Sequence, residues 1–306
     1  MKLFFTYLFI FFTSIHCFAN NDEFDSIVKV KTYWNVNDVK TYTFHTKETR
    51  ETSDSFKQDE IAYRIKITID DLYEDEMTVT WLYDTVKFNT PNFVNNPLYL
   101  INDVPVRFVI NTDGRFLRYV DLENTIESFT KSAKKTEANF INQPDHLEKI
   151  NQLITTYSTT ENIVKIFEKD IRQFHLFFSG STYTINGAPA ESTSYMDNLF
   201  NRSPTPAKTF ISLKEIAFTG TNYSMNAVQI ADPEWLSNSW YNYLMQLSEK
   251  LQQEKPDEGR KKDQIIYTVN TTSRIKDNGW ISYSIETKNV NFQDTNYTLT
   301  RSIELD

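Results

Sequence analysis

The sequence predicts an α+β fold, in which an antiparallel sheet of long amphipathic strands carries a central three-helix insertion and a fourth helix. Two patterns predict it. Apolar and polar residues alternate over long stretches, and near the middle of the chain this period of two changes to a helical period. Glycine is scarce, with 6 residues, and Gly114 and Gly279 stand in Asp-Gly and Asn-Gly pairs between alternating segments, which is typical of hairpins.

The first part of the chain is predicted to form strands. Alternation is clearest over 61–69 (IAYRIKITI) and 77–83 (MTVTWLY), and segments 39–46, 104–110 and 115–120 repeat it. A period of two places these apolar side chains on one face of a half-buried sheet. We expect the acidic stretch 70–76 (DDLYEDE) to be a solvated hairpin loop. A calcium site is the alternative, although the spacing is not that of an EF-hand.

Residues 122–179 form the predicted helical insertion. Leu122, Ile126 and Phe129 recur at spacings of four and three, which is the period of one helix face. A second helix follows a break at a proline. For the third helix, Ser158 and Glu161 have the spacing of a capping box.

The last part of the chain, 180–306, is predicted to form strands with one helix at 232–254. Asp232 is the expected N-cap of that helix, and Pro233 suits its first position. Strand patterns cover 181–185 and 209–230 before the helix. After it, three more lie over 265–271, 280–287 and within 291–305.

The segments 59–67 (DEIAYRIKI) and 263–271 (DQIIYTVNT) align without gaps. A duplication would produce such a match, and would give two related lobes or one long sheet; the alternative is that two amphipathic strands look alike by chance. The predicted division is a signal peptide (1–19), an N-terminal β region (20–121), the helical insertion (122–179) and a C-terminal β region (180–306). As an alternative, 20–306 forms one compact unit.

The first 19 residues have the layout of a secretory signal peptide, with one lysine, an apolar run and a short polar stretch. Cys17 and Ala19 are the small residues that signal peptidase requires, so cleavage is expected before Asn20. We therefore expect an exported protein, periplasmic or extracellular. In the alternative, Cys17 carries a lipid anchor, but His16 is bulky where lipoproteins have a small residue. Cys17 is the only cysteine, so cleavage leaves a chain without disulfides.

The net charge and the apolar runs of the sequence limit the classes of partner that the protein is expected to bind. The net charge is −9, which argues against nucleic acid and anionic membrane surfaces. After the first 19 residues no apolar run is long enough for a transmembrane helix. An apolar ligand or an envelope protein is the expected partner.

The motifs for common catalytic chemistry are missing from the sequence. Neither G-x-S-x-G nor a glycine-rich phosphate loop occurs, and no two of the four histidines have metal-motif spacing. We therefore expect no catalytic, cofactor-binding or metal-binding residues and no cofactor, and the sequence favours a protein that is not an enzyme.

The aromatic residues are the most suggestive feature, with 17 Tyr and 23 Phe. Trp34 and Trp280 border turns and are the predicted exposed ligand-binding residues. The leading hypothesis is a non-enzymatic exported protein that binds an apolar ligand or partner, or serves in the cell envelope. The alternatives are a carboxylate-dependent hydrolase, such as a glycosidase, and a surface adhesin-like interaction module.

Overall fold

The computed structural model of the chain describes residues 27–89, 96–200, 203–217, 220–257, 259 and 265–306. Within these ranges, the alternating segments form one antiparallel sheet of eleven strands and a separate two-stranded pair. The strands are β1 (Ile27–Lys29), β2 (Val39–Glu51), β3 (Phe56–Tyr73), β4 (Glu76–Phe88), β5 (Val104–Asn111), β6 (Phe116–Val120), β7 (Thr182–Thr184), β8 (Ala190–Met196), β9 (Thr205–Ile216), β10 (Asn222–Ala231), β11 (Ile265–Lys276), β12 (Ile281–Phe292) and β13 (Thr295–Leu305).

The strand order in the large sheet is β6-β5-β4-β3-β2-β13-β12-β11-β10-β9-β8. Neighbours in this order are consecutive in sequence except at one junction, where β2 pairs with β13. That junction joins the N-terminal and C-terminal strands, so the sheet runs without a break through both β regions. The α+β class with a large antiparallel sheet is therefore confirmed.

Four α-helices accompany the sheet in the described part of the chain: α1 (Leu122–Glu137), α2 (Pro144–Thr156), α3 (Thr160–His175) and α4 (Pro233–Leu251). Helix α1 packs against β5, α3 against β6 and β12, and α4 against β9 and β11. The strand register places all these contacts on one face of the sheet, here called the helix side. The other face carries mainly Thr, Ser, Asn and charged side chains.

Period-two patterning explains this one-sided packing. Phe44 lies opposite Tyr63 on β3 and Ile303 on β13, and all three side chains are buried on the helix side. His45, the next residue along β2, is exposed on the other face. The buried residues form a large cluster under α1 to α3 and a smaller one under α4.

The helix ends follow local capping chemistry. Asp232 caps α4, because its carboxylate accepts a hydrogen bond from the Trp235 amide at 2.9 Å, as predicted. The cap of α3 differs from the prediction by one residue. Thr159 is the N-cap and accepts from the Asn162 amide at 3.3 Å, whereas the Ser158 hydroxyl donates back to the Thr155 carbonyl.

Two predicted hairpin glycines lie against one crossing segment. Gly114 and Gly279 both have positive φ, 92° and 81°. A Cβ at Gly279 would lie 2.6 Å from the Lys31 carbonyl oxygen, and one at Gly114 would lie 2.6 Å from the Thr32 methyl. Both positions therefore need glycine for φ and for the close approach of the segment that follows β1.

Three features differ from the sequence prediction or go beyond it. The stretch 70–76, expected to be a loop, lies mostly in β3 and β4 around a tight turn at Glu74. The edge strand β8 and the short β1 were not predicted. The similar segments 59–67 and 263–271 are represented in the structure by β3 and, from residue 265 onward, by β11, four places apart in one sheet, and this arrangement alone does not establish a duplication.

His175, in the last turn of α3, sits in the aromatic core and is 6% exposed. Its Nδ1–H donates to the Gly114 carbonyl at 2.8 Å, since a carbonyl can only accept. Burial lowers the pKa of His175 to about 4 from 6.5. Between pH 6.5 and about pH 4 the unfolded chain binds a proton at this histidine that the folded chain does not bind. The free energy of unfolding therefore decreases as the pH is lowered through this window.

We predict that His175 alone removes about 3 kcal/mol from the free energy of unfolding as the pH falls from 6.5 to 4. In His175→Gln this part of the pH dependence disappears, because the replacement does not titrate. His45→Gln, at an exposed position, is the control and keeps the wild-type slope. Urea unfolding at several pH values measures the slopes. Equal slopes for the two variants would contradict the assignment.

Candidate binding site

A buried polar network holds α3 on the sheet. Asp170 of α3 accepts hydrogen bonds from the Tyr63 hydroxyl at 2.8 and 2.9 Å and from the Tyr83 hydroxyl at 3.1 Å. Among the described residues, it is the only acidic side chain in the buried class, at 4% exposed. Burial raises the pKa of Asp170, and Arg301 and the two tyrosines partly offset this rise.

Arg301 of β13 is the cation of this network. Its Nη2 donates to Glu286 at 2.8 Å and to the Lys169 carbonyl at 3.0 Å, and its Nη1 lies 3.9 Å from Asp170. The Arg301 side chain is only 7% exposed, and its Nε is buried without a hydrogen-bond partner in the described part of the protein. One buried cation therefore serves two acids and still has a free donor.

The helix side of the sheet has two adjoining pockets, one against α3 and one whose described lining has no α-helical residue. They lie at the end of the sheet formed by the β2–β3 and β12–β13 turns. One pocket spans β11, β12 and β13, and the other spans β13, β2 and β3. They meet at β2 and β13, where Arg50 and Tyr297 line the first and Glu48 and Leu299 line the second.

The first pocket, here called the basic pocket, has a volume of about 340 Å³. Among the described residues, its lining includes two cationic side chains, Lys288 and Arg50, and no Asp or Glu. Its apolar walls are Leu199, Phe200, Ile265, Val290 and Phe292. An apolar cavity of this size with few polar groups has the usual character of a small-molecule site.

Lys288 is the distinctive residue of the basic pocket. Its ammonium lies 4.6 Å from the ring centroid of Tyr267 and 6.0 Å from that of Tyr297. Within the described ranges no carboxylate comes within ion-pair distance of it. Burial lowers the pKa of Lys288, and although Asp197 and Glu286 act in the opposite direction, Lys169 and Arg172 lower it further. The result is a partly desolvated cation that an anion would stabilise.

The second pocket, here called the mixed pocket, has a volume of about 240 Å³. It brings together acids from two adjacent strands, Glu48 and Asp59, and cations from α3 and β13, Lys169 and Arg301. The Asp170 network forms part of its wall. The mixed pocket is therefore polar where the basic pocket is apolar.

The predicted ligand-binding tryptophans lie elsewhere, and their expected exposure was wrong. Trp34 and Trp280 are 4% and 2% exposed and stack on each other with ring centroids 4.3 Å apart. They belong to the core at the opposite end of the sheet, next to His175. Burial there excludes them from a surface stacking role. Ala19 and Asn20, the predicted cleavage site, lie outside the described residues.

Lys288, Arg301 and Glu48 were missed by reasoning from the sequence. Each stands at an apolar position of a period-two strand. Arg301, for example, shares its face of β13 with Leu299 and Ile303. A charge at the buried parity of a long strand was the available signal, because burying an unpaired charge is costly.

The acidic stretch 70–76 is bound by arginines. Asp70 lies 3.4 Å from Arg107, and Glu76 pairs with Arg118 through two hydrogen bonds of 2.8 and 2.6 Å. Within the described ranges, no group of three His, Cys, Asp or Glu side chains is arranged to hold a metal ion. None of the helices in this part of the chain combines the length and apolar character that a membrane crossing requires.

No protein-family model and no curated protein matches this chain. Among solved structures, a lipovitellin chain, from a study of lipid–protein interactions in lipovitellin, has a TM-score of 0.46 at 12% identity. That match covers 89% of this chain and 25% of the lipovitellin chain, so this chain spans a quarter of that protein's length. A porin-like protein from Bacteroides uniformis has a TM-score of 0.18 at 8% identity, covering 90% and 99% of the two chains. Both scores are too low to support a functional argument.

We predict that Arg301→Met lowers the free energy of unfolding by about 3–5 kcal/mol, because it leaves the buried Asp170 and the largely buried Glu286 without their cation. Arg64→Met is the matched control. Arg64 pairs with Asp306 at 2.8 Å with its side chain 49% exposed, so its loss costs less than about 1 kcal/mol. Urea denaturation of both variants measures the difference. Similar small losses in both would show that the network does not hold α3 in place.

Proposed function

We propose that this protein is an exported, non-enzymatic binding protein whose basic pocket holds an amphiphile, a molecule with an apolar body and an anionic group. One observation carries the proposal. The described lining of the basic pocket has apolar walls, two cations and no carboxylate, although the chain as a whole has a net charge of −9.

The apolar body would occupy the space between the 197–200 segment and the strands. Phe292 and Phe200 both contact Trp240 of α4, so this wall is braced by the smaller core cluster. Such support makes the wall a preformed surface. Transfer of apolar ligand surface from water to that wall would supply much of the binding free energy.

The anionic group would lie at Lys288. The two tyrosine rings position the ammonium, and partial burial has already removed some of its water. A hydrogen bond between charged groups in such surroundings contributes about 1.5–3 kcal/mol. Arg50 adds positive charge at the rim, although it is also 3.7 Å from Glu48.

Binding is favoured over glycoside hydrolysis because the buried acid of the site is already hydrogen-bonded within the protein. A glycosidase needs a carboxylic acid with a raised pKa that can protonate a leaving group. Asp170 has a raised pKa, but both of its oxygens accept hydrogen bonds from Tyr63 and Tyr83. This acid is engaged in holding α3.

Titration calorimetry with dodecyl phosphate tests the proposal. We expect the wild-type protein to bind this ligand, and Lys288→Gln to weaken binding about 10- to 100-fold, as loss of one charged hydrogen bond implies. Lys288→Arg should keep most of the affinity because it keeps the charge. Dodecanol, which has the same chain and no anion, should bind more weakly to the wild-type protein.

The control for this experiment is Lys66→Gln, which removes the same charge from the exposed face of β3, away from the pocket. It should bind dodecyl phosphate like the wild type. If Lys66→Gln and Lys288→Gln lose affinity equally, the effect comes from net charge and the proposed site is wrong. Absence of wild-type binding would overturn the proposal itself.

Export is the second part of the proposal, and it rests on the signal-peptide layout of residues 1–19. Expression of the full sequence in a secreting bacterial host should yield a chain that begins at Asn20, as intact mass spectrometry would show. A chain that begins at an acylated Cys17 would instead identify a lipid-anchored protein. An uncleaved chain would contradict export through this segment.

A further inference from the structure

A row of charged residues crosses the two pockets. Lys288 of β12 pairs with Leu299 of β13, Leu299 pairs with Glu48 of β2, and Glu48 pairs with Asp59 of β3. All four side chains point to the helix side. Because neighbouring strands lie about 4.8 Å apart, the row is a strip of cation, apolar residue, acid and acid, with one side chain per strand.

The acidic end of the row is only partly compensated by the fold. Glu48 and Asp59 lie directly opposite each other, an arrangement that destabilises a sheet when both are charged. Asp59 makes no side-chain hydrogen bond or ion pair within the described residues. Glu48 has one partner, Arg50, at 3.7 Å, and that pair is substantially exposed. A cationic ligand group would relieve the repulsion between the two acids.

The other end of the row is positive. Lys169 of α3 lines the mixed pocket, and both Lys169 and Arg172 lower the pKa of Lys288, whereas Asp197 and Glu286 raise it. Arg301 stands two residues from Leu299 on the same strand, and its Nε is the buried donor without a partner. Leu299 is therefore flanked across the strands by Lys288 and along its own strand by Arg301, and both line the pockets.

We propose that this row binds a zwitterionic head group, in which a phosphate is joined through a short spacer to an ammonium. The phosphate lies over Leu299, between Lys288 and Arg301, and the ammonium lies against Glu48 and Asp59. The hydrocarbon chain enters the basic pocket. This inference rests on the proposed function and specifies its ligand class.

Charge complementarity selects a zwitterion over simpler amphiphiles. A ligand with only an anion would leave the two acids repelling each other and would itself be repelled by them. A ligand with only a cation would face Lys288 and Lys169, which line the two pockets. A phosphate with a nearby ammonium matches both ends, with the charges about one to two strand spacings apart.

Three ligands with the same dodecyl chain test the inference by titration calorimetry below their micelle concentrations. They are dodecylphosphocholine, dodecyl phosphate and dodecyltrimethylammonium. We expect the wild type to bind dodecylphosphocholine about tenfold more tightly than dodecyl phosphate, and the trimethylammonium compound most weakly. The double variant Glu48→Gln/Asp59→Asn should reverse the first preference, since removing two acids favours the simple anion.

The matched control is Glu60→Gln/Glu304→Gln, which removes two acids from the opposite face of the same sheet. It should keep the wild-type preference for dodecylphosphocholine. If the control reverses the preference as well, or if the wild type binds dodecyl phosphate at least as tightly as dodecylphosphocholine, the inference is overturned. In the second case sensitivity to Lys288→Gln would still support the proposed function.

Free phosphocholine separates the two possible sources of the head group. Weak binding of free phosphocholine, with much tighter binding of dodecylphosphocholine, supports a lipid-like ligand. Equal affinity of the two would support the row as a zwitterion site but contradict the proposed function, because the basic pocket would then contribute nothing. Absence of binding by all of these ligands overturns both.

Discussion

The structure depends on one buried cation, Arg301, at the centre of the helix side. It connects β13 to β12 through Glu286 and to α3 through Asp170 and the Lys169 carbonyl. Gln173, one turn further along α3, donates to the Arg301 carbonyl and to Ser284, both at 3.2 Å. Because α3 packs here through charge and hydrogen bonds, its position over the strands is directional, which apolar packing alone would not provide.

That directional contact also shapes the two pockets. The mixed pocket uses Asp170 and Arg301 as part of its wall, so the residues that hold α3 also set the electrostatic character of the site. Beyond α3 the helix side of the sheet continues to the smaller core cluster under α4. The basic pocket lies between the part of the sheet that α3 covers and the part that α4 covers. A strand face patterned for burial but left partly uncovered is the physical origin of the proposed ligand site.

Local patterns predicted the local structure well. Unbroken alternation predicted β3, and Asp232-Pro233 predicted the start of α4, because each depends on neighbours in sequence. Strand β8 was missed because it lies at the sheet edge, most of its residues are polar, and Met196 is the one buried side chain along it. Trp280 was expected to be exposed because it follows a glycine turn, but its burial comes from Trp34, a partner distant in sequence. Long-range contacts of this kind leave no local signal.

The candidate site is the extreme case of such long-range assembly. Glu48 and Asp59 come from the first hairpin of the large sheet, whereas Lys288 and Leu299 come from the last, and only the β2–β13 pairing brings them into one row. Each residue alone is a charge or leucine on an alternating strand. The dipolar character of the row exists only once that pairing forms. The same pairing that completes the sheet therefore creates the charge pattern on which the proposed ligand class depends.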